Sequence, residues 1–181
     1  MHRDAPLAPC VHKASITAME TDMTYRIEGL APDQFAPLFA LGDAELAERG
    51  ARRVTAATSR GYPCRVSLED AAEGDELILL HHTSHDVDTP YRSSYAIYVR
   101  RDATPQRFVD ITPPVFEGRP LGLRGFDAEG ILRDARLAQP GEADAKIRDL
   151  FDNPDITYIH AHNAAHGCFA ARIDRHGDAS C

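Results

Sequence analysis

Between Ile159 and Arg175 the chain reads IHAHNAAHGCFAARIDR, which brings His160, His162, His166 and Cys168 into the span of one hairpin. Imidazoles and thiols can act as acid–base groups, nucleophiles or zinc ligands. Alternate residues of a strand share a face, so Tyr158, His160 and His162 oppose Ile159 and Ala161. In the return strand Phe169, Ala171 and Ile173 form the apolar set, and Cys168, Arg172 and Asp174 the polar one. Matching apolar faces pairs Tyr158 with Arg172, His160 with Ala170 and His162 with Cys168. Asn163–Gly167 is then the turn, with Gly167 at positive φ. His160 and His162 plus one further ligand and water would make an open zinc site. No third ligand of diagnostic spacing accompanies them, and cross-strand hydrogen bonding is the plain alternative.

A second candidate is Cys64 beside Arg65. A guanidinium favours the thiolate, which is the nucleophile, and His162 or His160 could serve as base to Cys64 or to Cys168. The opposing reading makes Cys64 a small buried hydrophobe. The third candidate is TPYRSSYAIYVRR, where Tyr91, Arg92, Ser93 and Ser94 offer a phenol, a guanidinium and two hydroxyls in succession. With Arg65, Arg100 and Arg172 they are the candidate ligand-binding set for a phosphate or carboxylate. Ordinary ion pairs with the excess of acids would account for the same arginines. His81 and His82 point to opposite faces of their strand and cannot chelate together.

These side chains need a scaffold, and the pattern supplies one. TYRIEGL, RRVTAAT, PCRVSL, ELILLHHT, SYAIYVRR, LGLRGFD, ILRDARLA, ITYIHAHN and CFAARIDR read as strands, several of them separated by turn signals such as EGD, DTP and TPP. ELILL is apolar on both faces and is expected at the centre of a sheet. DQFAPLFAL and GDAELAERG read as a short helical pair, with Asp43 as a cap and Gly50 as a stop. Near 142–152, Ala143, Ile147, Leu150 and Phe151 fall at i, i+4, i+7 and i+8 ahead of Pro154, an amphipathic helix. The fold class is α+β: a single domain with a mainly antiparallel sheet, the N-terminal helical pair and this one helix. Residues 1–22 are expected to be a disordered leader or an over-extended start, 23–176 the domain and 177–181 a tail.

The blocks GARRVTA, YPCRVSLEDA, EGDELILL, TPYRSSYAIYVR, LGLRGFDAEG and YIHAHNAAHGCFAARIDR together resemble the bacterial domain-of-unknown-function family 1203, in order, from about Met23 to Arg175. The resemblance implies a start at Met23 and includes the cysteines of PCR and GCF, Cys64 and Cys168. It implies no activity, ligand or catalytic residue.

Composition bounds the rest. A chain of 181 residues, 43% hydrophobic and 27% charged, matches one globular domain. Its net charge of −8 argues against nucleic acid and anionic membranes as partners. No apolar run is long enough to span a bilayer, and no secretory signal is evident, so a cytoplasmic, soluble protein is expected. Four scattered cysteines do not make a disulfide framework. GxGxxG, GxxxxGK[ST], GxSxG and HExxH are absent. The leading expectation is a site for a small anionic metabolite, with Cys64, His162 and Cys168 as the candidate catalytic groups. The alternatives are a non-catalytic interaction or structural module, as a homo-oligomer, and a metal-dependent hydrolase using zinc on His160 and His162.

Overall fold

A computed structural model describes residues 24–177; the expected leader and nearly all of the expected tail lie outside them. The strands are β1 (Tyr25–Glu28), β2 (Arg52–Thr55), β3 (Glu76–His85), β4 (Ser93–Arg100), β5 (Arg107–Val109), β6 (Leu121–Phe126), β7 (Leu132–Ala138), β8 (Tyr158–Asn163) and β9 (Phe169–Arg175). They form a six-stranded sheet in the order β5-β1-β9-β8-β6-β7 and a three-stranded sheet in the order β2-β3-β4. Every strand pair is antiparallel. ELILL lies in β3, at the centre of the smaller sheet, as its two apolar faces required. The fold is a sheet-dominated α+β domain.

The period-3.6 stripe forms helix α2 (Ala143–Phe151), which buries Ala143, Ile147, Leu150 and Phe151. They pack with Ile27, Leu123, Ile159, Ala161 and Ile173 on one face of the large sheet. Gly125 lies under this layer: a Cβ there would stand 2.5 Å from Ile156.

The N-terminal helical pair is three short pieces. Single turns of 3₁₀ helix cover Pro32–Gln34 and Ala36–Ala40, followed by α1 (Asp43–Glu48). Pro32 and Pro37 withhold the amide protons that a continuous α-helix needs. Asp43 is the first helical residue of α1, not its cap. Gly42 holds the cap position, and its N–H donates to the Glu45 carboxylate at 2.9 Å. Phe35, Leu38 and Phe39 close one face of the small sheet over Ile97 and Val99.

PCRVSL is not a strand. Its only β-pairings are isolated bridges, Pro63 to Asp70 and Cys64 to Tyr98, and its other backbone hydrogen bonds go to scattered residues such as Leu30, Gln106 and Val115. The chain folds back at Leu68, which takes φ 55°, and the Leu68 N–H donates to the Cys64 carbonyl at 3.1 Å. The alternation is real, but it serves two cores: Cys64 and Val66 face the Phe35 cluster, whereas Leu68 joins the α2 cluster. No strand is available to pair with the whole segment. The sequence reading missed β5, whose three residues are too short to show a period.

Candidate functional site

In the β8–β9 hairpin the expected faces are kept from Tyr158 to Ala161, up to a bulge, and the expected register is not. Ile159 pairs with Ile173 and Ala161 with Ala171, while Tyr158 faces Asp174 and His160 faces Arg172. The pairing is displaced by two residues from that expected. A displacement of two preserves every face, so alternation alone cannot choose between the two registers. A bulge then sets His162 opposite Phe169. It moves Phe169 to the imidazole face and leaves Cys168 ahead of the strand. Gly167 is in the turn with φ 74°.

The imidazole face is the layer between the two sheets. His160 is 1% and His162 2% exposed. A bulge between Thr83 and His85 turns His85 into the same layer, with ring centroids 4.9 Å apart from His160. Phe126, Phe169 and Tyr95 complete the packing. Each histidine is polarised differently. His85 Nδ1 donates to the Tyr91 carbonyl at 2.9 Å, so its Nε2 accepts from the Tyr158 hydroxyl at 2.7 Å. His162 Nδ1 donates to the Gly167 carbonyl at 3.1 Å. His160 has no hydrogen-bond partner at either ring nitrogen. Burial, followed by the charges of neighbouring histidines and arginines, pushes the His160 pKa down to about 2. Burial pushes His162 down to about 4. Both rings are neutral at physiological pH. Among the described residues no group of three His, Cys, Asp or Glu side chains is placed to hold a metal, so the His160–His162 pair has no third ligand there.

The expected ligand-binding residues do not converge. Arg92 pairs with Asp86 at 2.7 Å in solvent, and Tyr91 is 40% exposed beside Phe126. Arg100 pairs with Glu69 and Asp75. Arg172 pairs with Asp174 and lies 3.9 Å above the Tyr158 ring. Each of these three arginines is ion-paired with an acid where it stands, although the buried Arg100 Nε has no partner. Cys64 is fully buried, accepts the Arg100 N–H at 3.3 Å and packs with Phe35, Ile97 and Val99; no histidine hydrogen-bonds to it. It has the surroundings of a small hydrophobe.

Arg65 is different. It is 3% exposed, and its Nε donates to the Phe169 carbonyl and its Nη1 to the Pro63 carbonyl. No carboxylate pairs with it and Nη2 donates to nothing. Burial lowers its pKa to about 10, partly offset by Cys168 and Cys64; it remains a cation at neutral pH. Arg65 lines a cavity of about 640 Å³ together with Arg60, Arg119, Asn163, His166 and Cys168, against a wall of Leu79, Ala96 and Tyr98. Arg119 is held by a two-pronged contact to Asp70 at 2.6 and 2.8 Å. Arg60 is exposed and reaches the Glu117 carbonyl at 3.5 Å. The cavity wall thus carries three guanidinium groups and no acid, in a chain of net charge −8. Of the expected site residues, Arg65 and Cys168 meet here. Arg60, Arg119 and Asn163 were missed; RGYPCR, which holds Arg60 beside Arg65 in one short stretch, is a sequence signal for Arg60 alone.

No helix among the described residues is long and apolar enough to cross a membrane. No curated protein and no solved structure matches the chain. A family model does match, over residues 61–175. This stretch runs from the cavity wall at Gly61 to the last residue of β9, and by it the chain belongs to the family described as protein of unknown function, DUF1203.

Proposed function

We propose that the protein binds a small anionic metabolite in the Arg60–Arg65–Arg119 cavity. Arg65 carries the reading: a buried guanidinium without a counter-charge. Burying a cation is costly unless it is paired. Two carbonyl acceptors offset part of that cost, and a carboxylate or phosphate at Nη2 would complete the pairing with a charge-assisted hydrogen bond. Leu79, Ala96 and Tyr98 give an apolar wall for the body of the ligand, and the volume suits a molecule of metabolite size. The free thiols of Cys64 and Cys168 fit a reducing, cytoplasmic setting.

Thermal unfolding with added phosphate, oxalate or citrate, at matched ionic strength, tests this. A ligand at 100 times its Kd stabilises by about 2.7 kcal/mol, several degrees in a domain of this size. The shift is expected to vanish in Arg65→Gln, to shrink in the exposed Arg60→Gln and to persist in Arg92→Gln. Equal shifts in all three variants, or none in the wild type, would overturn the reading. A second reading, an interaction module, is favoured by Leu137, 56% exposed on β7 at the edge of the large sheet. It predicts a dimer that Leu137→Lys dissociates in sedimentation.

A further inference from the structure

We propose that Cys168 is a modification site, where the thiol exchanges with disulfides of small carboxylate-bearing thiols that the arginine cavity recruits. The inference rests on the anion-binding reading above and adds a reaction to it. Cys168 and Cys64 are chemically alike but placed oppositely. Cys64 is sealed in an apolar cluster, whereas Cys168 is half-buried on the cavity wall, and its sulfur has only a weak contact, 3.8 Å, to the His166 carbonyl. Arg65, buried to 3% exposure, lines the same cavity, and its two hydrogen bonds come from Nε and Nη1, not Nη2. Its charge and that of a thiolate at Cys168 attract one another. A disulfide whose substituents carry carboxylates would therefore be drawn to the guanidinium groups with its sulfur–sulfur bond beside Cys168.

The step is an exchange. The Cys168 thiolate attacks one sulfur of the small disulfide, a new bond forms between the Cys168 sulfur and that sulfur, and the original sulfur–sulfur bond breaks. The departing thiolate takes a proton from solvent. The protein sulfur is oxidised and the departing sulfur reduced, so no outside oxidant is needed. Arg65 and Arg60 act as recognition residues. Cys64 lies in the Phe35 cluster and does not resolve the adduct, so the mixed disulfide persists until an external thiol reverses it.

The test compares three probes on the full chain: oxidised glutathione, which is anionic, 2-hydroxyethyl disulfide, which is neutral, and cystamine, which is cationic. Adducts are located by peptide mapping, which separates Cys168 from Cys64, Cys10 and Cys181. Cys168 is expected to react with oxidised glutathione about tenfold faster than with cystamine, as for a field-focused encounter. High salt and Arg60→Gln, an exposed substitution that leaves the core intact, are each expected to erase that preference. Equal rates for the anionic and cationic probes, or an unreactive Cys168, would overturn the proposal. The citrate-induced thermal shift, measured on the same preparation, separates the two ideas. A shift without exchange refutes the modification site and leaves the anion site standing; neither shift nor charge preference refutes both.

Discussion

Arg65 and His160 are both buried polar groups without a full set of partners, and they settle the problem in opposite ways. Arg65 cannot shed its proton near neutrality, so it keeps a charge on the cavity wall with hydrogen bonds from Nε and Nη1 alone. His160 sheds its charge and leaves two nitrogens unsatisfied among Phe126, Phe169 and His85. Replacing an unsatisfied buried polar group by an apolar one of similar size relieves its desolvation. His160→Leu is therefore expected to be at least as stable as the wild type, by up to about 1 kcal/mol, in urea titrations at pH 7.5. A loss of more than that would mean the ring has a partner in solution. At this scale the sequence singled out Arg65, Cys168 and both hairpin histidines as candidates for chemistry, but it could not group them. Arg60, Arg119 and Cys168 meet through loops far apart in the chain, and no periodicity reports such a meeting. His85 reaches the inter-sheet layer only because a bulge rotates it there.

Among the elements, the segment holding Arg65 is the least regular and the most tightly wedged. Gly29, just after β1, passes so close to it that a Cβ would stand 1.8 Å from the Val66 carbonyl oxygen. The neighbouring Leu30 N–H donates to the Arg65 carbonyl at 2.8 Å. Backbone cannot yield as a flexible side chain can, so Gly29→Ala is expected to cost more than about 3 kcal/mol, and, in whatever fraction folds, to weaken the citrate-induced shift. Near-wild-type urea midpoints would show that the contact is not as close as described. Helix α2 was legible because one buried face imposes a clean period, and ELILL because an unbroken apolar run needs cover on both sides. PCRVSL alternates as a strand does, yet its residues feed two different cores, and alternation does not record where the partners are. The hairpin register was illegible for a simpler reason: shifts by two residues leave the pattern unchanged, and the bulge that precedes Phe169 goes with its packing against His160 and His162 in three dimensions.

For the whole molecule, the inter-sheet layer of neutral imidazoles makes acid the natural denaturant. The folded pKa values of His160 and His162, about 2 and about 4, lie below the ordinary 6.5, and that of the half-buried His82 is also lowered, chiefly by burial. With folded values depressed, the unfolded chain binds protons first as pH falls. The stability these rings permit is thus complete above about 6.5 and declines below it; the His162 contribution levels off near pH 4, and that of His160 continues downward. Each ring contributes a slope of up to about 1.4 kcal/mol per pH unit, so the two together remove up to about 4 kcal/mol between pH 7 and pH 5. The carboxylates act in a different window. Asp144, Asp127 and Glu76 have lowered folded values, so their contribution is present above their unfolded values near 4 and is lost only below them. Between pH 6.5 and 4.5 the histidines alone set the trend. Urea midpoints are expected to fall steadily from pH 7 to pH 5 in the wild type, and the slope to be shallower, by up to about half, in His160→Leu, which leaves His162 and His82 to titrate. A wild-type midpoint unchanged over that range would show that water or a rearranged hairpin hydrates the imidazoles, and that the two sheets do not enclose a dry layer.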